Sequence, residues 1–212
     1  MIVPKFRTAS LPTRVLVQYR PRRSMSSTVG KEENVWDYPR PPALEKTDRH
    51  LRVIWVDQGG IETVIADTKE GYRVLETSHP PTYYLPPTSI QRPELFQKTA
   101  KHTFCEWKGV ASYFTFKPPT SSSDASGPAS VPKIENRIWT YENPTQRFVP
   151  IKDYYCFYAS SGQTIDRGST RAGWKCEVDG EVVKPQEGDF YGGWVHKGIT
   201  GKMKGARGTE YW

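Results

Sequence analysis

A thiol, an imidazole, a carboxylate and an ammonium fall within one short run, His102-Thr103-Phe104-Cys105-Glu106-Trp107-Lys108. Nearby cations favour thiolate over thiol, so Cys105 beside His102 and Lys108 is a candidate nucleophile, with Glu106 as a candidate base. Side chains alternate along an extended strand. Cys105 and Trp107 then share one face, and Glu106 and Lys108 share the other. His102 lies an odd number of residues from Cys105 and needs a bulge or bend to reach it. The same run also suits a buried cysteine beside a core tryptophan, since free cysteine is among the most buried residue types. His79, His102 and Cys105 supply only three metal donors on two segments, and no metal site is expected.

Aromatic residues are the broader signal, at 13% of the chain. Trp55, Tyr113 and Phe157 read as core. Three clusters are instead bordered by proline or glycine: Trp36 with Tyr38, Tyr83 with Tyr84, and Tyr191 with Trp194. Loops of this composition build binding clefts. Trp36, Tyr38, Tyr83, Trp107, Tyr191 and Trp194 are therefore candidate ligand contacts, together with the polar Arg73, Glu76 and His79. Arg73 and Glu76 stand three apart on a strand, so they face opposite sides and form no local acid–base pair. His50 and His196 have no partner suggested by spacing. The chain has no glycine-rich phosphate loop and no clustered aspartates of a metal-dependent transferase, so no cofactor is expected.

Short strands separated by turns must position these groups. Arg52–Val56, Glu62–Asp67 and Tyr72–Thr77 read as a three-stranded meander, broken by Asp57-Gln58-Gly59-Gly60 and Lys69-Glu70-Gly71. Thr82–Leu85 is a further strand, stopped by Pro86-Pro87. Pro93–Lys98 alone reads as helix, with proline in its first turn. Phe104–Trp107 and Ala111–Phe116 flank Lys108-Gly109 as a hairpin. Strands resume at Arg137–Tyr141 and Tyr154–Tyr158. Asp179-Gly180 is the strongest turn signal, between Lys175–Val178 and Glu181–Val183. Residues 118–133 form a Ser/Pro-rich insert with too little apolar content to pack. The expected fold is all-β with very little helix.

The net charge of +7 would ordinarily suggest a nucleic-acid partner. Its position removes that suggestion. Lys5, Arg7, Arg14, Arg20, Arg22, Arg23 and Lys31 all precede the first acid, Glu32. Taking these seven from the 30 Lys and Arg leaves 23, against 23 Asp and Glu. Residues 32–212 are thus a formally neutral single domain, and no nucleic-acid binding is expected. The basic, acid-free residues 1–31 have the composition of a mitochondrial presequence, which predicts the matrix as destination. Initiation at Met25 would instead leave a cytoplasmic form. No apolar run approaches the roughly 18 residues of a membrane span. Three separated cysteines suit free thiols, not a disulfide framework.

Several motifs then resemble a known family. They are Trp36-Asp37-Tyr38-Pro39-Arg40-Pro41-Pro42, the run Arg73 to Tyr84, Cys105-Glu106-Trp107-Lys108-Gly109 with Ala111-Ser112-Tyr113, Phe190-Tyr191-Gly192-Gly193-Trp194, and Lys204 to Thr209. In this order they resemble the domain of unknown function 427 family, also labelled a nucleotidyltransferase. The resemblance implies a β-tent of small coiled antiparallel sheets, similar to the thalidomide-binding domain of cereblon, where an aromatic cage holds a cyclic imide. Many β-tents hold zinc between two Cys-x-x-Cys knuckles. This chain has neither knuckle, so the zinc is not carried over. The family implies no catalytic residues, and fold alone transfers no activity. The expected function is small-molecule binding in an aromatic-lined pocket. The alternatives are an enzyme using His102, Cys105, Glu106 and Lys108, and a protein-interaction module.

Overall fold

A computed structural model of the chain describes residues 32–119, 133–161, 172–188 and 190–209. The predicted presequence at 1–31 lies outside them, as do residues 120–132 of the predicted insert. The strands in chain order are β1 (Glu33–Asn34), β2 (Ala43–Thr47), β3 (Leu51–Val56), β4 (Glu62–Thr68), β5 (Gly71–Leu75), β6 (Thr82–Tyr84), β7 (Phe96–Cys105) and β8 (Gly109–Phe116). They continue with β9 (Ile134–Thr140), β10 (Cys156–Phe157), β11 (Gly173–Val178), β12 (Glu181–Val182), β13 (Lys184–Pro185), β14 (Trp194–Val195) and β15 (Ile199–Thr200). Helix among the described residues is confined to short 3₁₀ turns. The protein is all-β, built from several small and mostly antiparallel sheets.

Two four-stranded sheets, ordered β10-β9-β8-β7 and β12-β11-β3-β4, and a three-stranded sheet, β2-β5-β6, dominate. β3 and β4 form a hairpin as the sequence predicts, but β5 leaves that meander to pair with β2 and β6. Tyr72 and Val74 are thereby paired against Lys46 and Leu44 of β2. The predicted helix at Pro93–Lys98 is also corrected: one 3₁₀ turn, Pro93–Leu95, leads directly into β7. Six residues form too few helical bonds to offset nucleation. The Phe96 ring instead packs edge-on against Phe116, Tyr155 and Phe157. At the predicted tight turn, Asp179 and Gly180 take φ of 52° and 83°, the left-handed pair that a two-residue hairpin requires.

The β7–β10 sheet carries apolar side chains on both faces. Phe116, Ile134, Ile138 and Phe157 join Trp55, Trp174 and Trp194 in the larger core. Residues of alternate parity, Ala111, Tyr113, Trp139, Tyr141 and Cys156, pack with Val74 and Tyr84 in a second cluster. That second face borders the site described next. No helix among the described residues is long and apolar enough to cross a membrane.

Candidate functional site

The β7–β8 hairpin presents the first wall. Cys105 pairs with Gly109 at its end, leaving Glu106, Trp107 and Lys108 as the turn. Gly109 closes the turn at φ +97°, a conformation L side chains rarely adopt. Thr145 anchors it from outside: its hydroxyl donates to the Trp107 carbonyl and its amide to the Lys108 carbonyl. The Arg40 guanidinium stands 5.8 Å from the Trp107 ring centre and reaches Glu106 at 3.2 Å and Glu76 at 3.9 Å. The Lys108 ammonium lies over the Phe148 ring at 5.7 Å.

The opposite wall comes from the end of β5, the following turn and β6. Glu76 and His79 bracket a turn closed by the His79 amide donating to the Glu76 carbonyl. The side-chain amide of Gln186 donates to His79 Nδ1 at 3.0 Å and to the Lys204 carbonyl at 2.7 Å. His79 Nδ1 is therefore an acceptor, and the neutral ring carries its proton on Nε2. Burial pushes the His79 pKa down to about 4, with the charges of Lys204, Lys108 and Arg40 acting in the same direction. The His79 ring meets Tyr191 edge-on, with centres 4.7 Å apart.

A glycine pair lets the next segment close over these walls. A methyl group at Gly192 would collide with the Trp139 ring, and one at Gly193 would press on Gln186 and Pro80. Tyr84, Tyr113, Trp139, Tyr141 and Tyr158 complete the lining of a cavity of about 270 Å³. Phe104 and Phe190, 77% and 72% exposed, also border it. Tyr84 is fully buried and its hydroxyl has no hydrogen-bond partner, as is true of the Trp107 indole N–H. Burial raises the pKa values of Tyr84 and Tyr141, and the adjoining thiols Cys105 and Cys156 reinforce the rise. Both phenols stay neutral.

Seven sequence-predicted residues line this cavity: Glu76, His79, Cys105, Glu106, Trp107, Lys108 and Tyr191. The others lie elsewhere. Trp36 is 48% exposed and donates its indole N–H to the Lys202 carbonyl. Tyr38 donates to Glu33, which also receives Arg73; Arg73 bridges on to Glu45. Tyr83 and Trp194 are core residues, with the Trp194 indole donating to the Phe157 carbonyl. His102 sits on β7 with Nδ1 at 3.2 Å from the Ala111 carbonyl, away from the cavity lining. The alternation that separates His102 from Cys105 is thus retained, without a bend to reunite them.

Trp139, Tyr141, Gln186 and Lys204 were not candidate site residues from sequence, and Tyr84 was marked only through its cluster with Tyr83. Arg137–Tyr141 reads as a strand, but nothing in the sequence marks either of its faces as a cavity wall. Among the described residues, no group of three or more His, Cys, Asp or Glu is placed to hold a metal ion.

A family model described as a domain of unknown function (DUF427) matches residues 43–168, more than half the chain. The chain belongs to this family. A comparison with curated proteins found no match. Within the family match lie Glu76, His79, Tyr84 and the Cys105–Lys108 turn. Arg40, Gln186, Tyr191 and Lys204, also on the cavity wall, fall outside it.

Proposed function

We propose that this chain binds a small molecule in the aromatic cavity between the β7–β8 turn and the Glu76–Tyr84 segment. One observation carries the reading: residues from many separated segments, seven of them singled out from the sequence, border one concave space. Aromatic walls with a few polar groups are the usual make-up of ligand sites. A thermal-shift panel of nucleotides, cyclic imides and aromatic metabolites tests it. A hit should be lost in Trp107→Ala and kept in Trp36→Ala, whose side chain lies outside the cavity. Equal loss in both variants, or silence across the panel, would count against the reading.

Covalent chemistry at Cys105 is the second reading. Cys105 borders the cavity and is half-buried, whereas Cys156 and Cys176 are fully buried. Thiol-reactive probes at neutral pH should label Cys105 before the other two; labelling only on unfolding removes this reading. We also propose the mitochondrial matrix as the place of action, on the charge distribution of residues 1–31. Import and cleavage by isolated mitochondria would be the result expected, and a full-length product left outside would sink it.

A further inference from the structure

A chain of hydrogen bonds fixes His79 in one protonation pattern. The Lys204 amide donates to the Ser78 carbonyl at 2.8 Å, and the Lys204 carbonyl receives the side-chain amide of Gln186 at 2.7 Å. A carbonyl only accepts, so the Gln186 atom facing it is the nitrogen. That same nitrogen lies 3.0 Å from His79 Nδ1, which must then accept, and the ring proton sits on Nε2. Gln186 is 3% exposed and its backbone amide donates to the Gly193 carbonyl, so it has little freedom to turn over. Ser78, at a left-handed φ of 66°, shapes the turn that brings His79 to this partner. Burial keeps the ring neutral, with a pKa pushed down to about 4.

The proton so placed is left unused. Nε2 has no hydrogen-bond partner among the described residues, and it is not one of the unpaired atoms that the fold seals from solvent, as the Tyr84 hydroxyl and the Trp107 indole N–H are. His79 is only partly buried and borders the cavity. An accessible, uncharged N–H of fixed direction, with no acceptor left on its ring, suits an oxygen that only accepts. A carbonyl is such a group, whereas an ammonium brings donors to a donor. Around it stand the rings of Trp107, Tyr113, Trp139, Tyr141 and Tyr191, which favour offset or edge contact with another flat ring. Taking the small-molecule reading as its basis, we propose that the ligand is a flat ring bearing an uncharged carbonyl, whose oxygen accepts the His79 Nε2–H. Gln186 is the positioning residue, acting through His79 by holding the proton on Nε2.

Calorimetric titration of the full chain with probes of one shape tests this: indanone, indane and aminoindane. Indanone should bind most tightly and the amine least. His79→Phe keeps a ring and removes the N–H, so the indanone-to-indane affinity ratio should fall about three- to tenfold, the range of one neutral hydrogen bond. His79→Gln, whose side-chain amide also donates, should keep part of the ratio, and it serves as the second variant should the first melt early. Nitrogen NMR spectra of the isotope-labelled chain read the proton directly. The His79 ring should be protonated at Nε2 and bare at Nδ1, and Gln186→Met should mix the two forms and weaken the preference for indanone. A ratio indifferent to His79→Phe, an amine that binds as tightly as the ketone, or a His79 proton found on Nδ1 overturns the inference. Ring binding that ignores the carbonyl yet disappears in Trp107→Ala leaves the small-molecule reading standing. Silence of every probe on natively melting protein removes both.

Discussion

Tyr83 and Tyr84 are neighbours on β6 and both are completely buried, yet their hydroxyls meet opposite circumstances. Tyr83 donates to His196 Nε2 at 2.9 Å, which also receives Arg49 at 3.0 Å. His196 donates its single ring proton, on Nδ1, to the Lys197 carbonyl, and Arg49 is held by Asp179 at 2.9 Å. That network is closed. Tyr84, turned to the other face, has a hydroxyl with no partner beside a cavity whose Trp107 lacks one too. A buried polar group that is fully paired rigidifies a fold, whereas one left unpaired calls for a further explanation. The contrast teaches that burial alone does not distinguish scaffold from site here.

The largest test of the contrast compares tryptophans. Trp194→Ala, on the closed side, should cost about 3–5 kcal/mol in urea unfolding, as for other fully buried aromatics. Trp107→Ala, on the cavity side and only partly buried, should cost about 1–2 kcal/mol while abolishing ligand binding. Equal costs would erase the distinction between the two regions.

Acid separates them next. Both histidines are held neutral by burial, so both have folded pKa values below that of the unfolded chain. The unfolded state then binds more protons, and stability falls as pH drops below 6.5. For His79 the loss runs down to about pH 4 and amounts to on the order of 3 kcal/mol. His79→Gln should flatten most of that slope in urea melts taken from pH 7 to 4. An unchanged slope would place the acid sensitivity elsewhere, with His196 the next group to replace.

The smallest test is a pair of hydroxyl deletions. Tyr83→Phe removes a donor to His196 and should cost about 1 kcal/mol. Tyr84→Phe removes a buried hydroxyl left unpaired and should instead raise stability, by about 1 kcal/mol. A Tyr84→Phe cost matching that of Tyr83→Phe would mean its hydroxyl is satisfied after all.

Why sequence reading located one region better than the other follows from how the residues are spaced. Cys105, Glu106, Trp107 and Lys108 are contiguous, and a glycine-closed hairpin must keep them together whatever the rest of the chain does. Strand alternation also separated His102 from Cys105, while Tyr83 and Tyr84 were read as one cluster although neighbours on a strand face opposite sides. It could not say which tyrosine faced the core, because that depends on which sheet packs over each side. Likewise the local pattern marked β5 as a strand, but tertiary packing chose β2 and β6 as its partners. At Pro93, a local helix signal was overruled by the aromatic contacts of Phe96. Arg40, Gln186 and Lys204 reach the cavity only through long-range closure, which leaves no periodic trace in the chain.

That closure has a consequence for the order in which the protein is made. The walls from Arg40 to Tyr158 leave the ribosome well before Gln186, Tyr191, Gly192 and Lys204. Until the last of these emerges, the nascent chain displays a concave aromatic face with no cover. Trp139 in particular waits for the one residue, Gly192, small enough to lie against it. A chain cut short before Gln186 would therefore carry an open, sticky groove where the finished protein has a chamber. Such a fragment would be a natural client for chaperones and proteases.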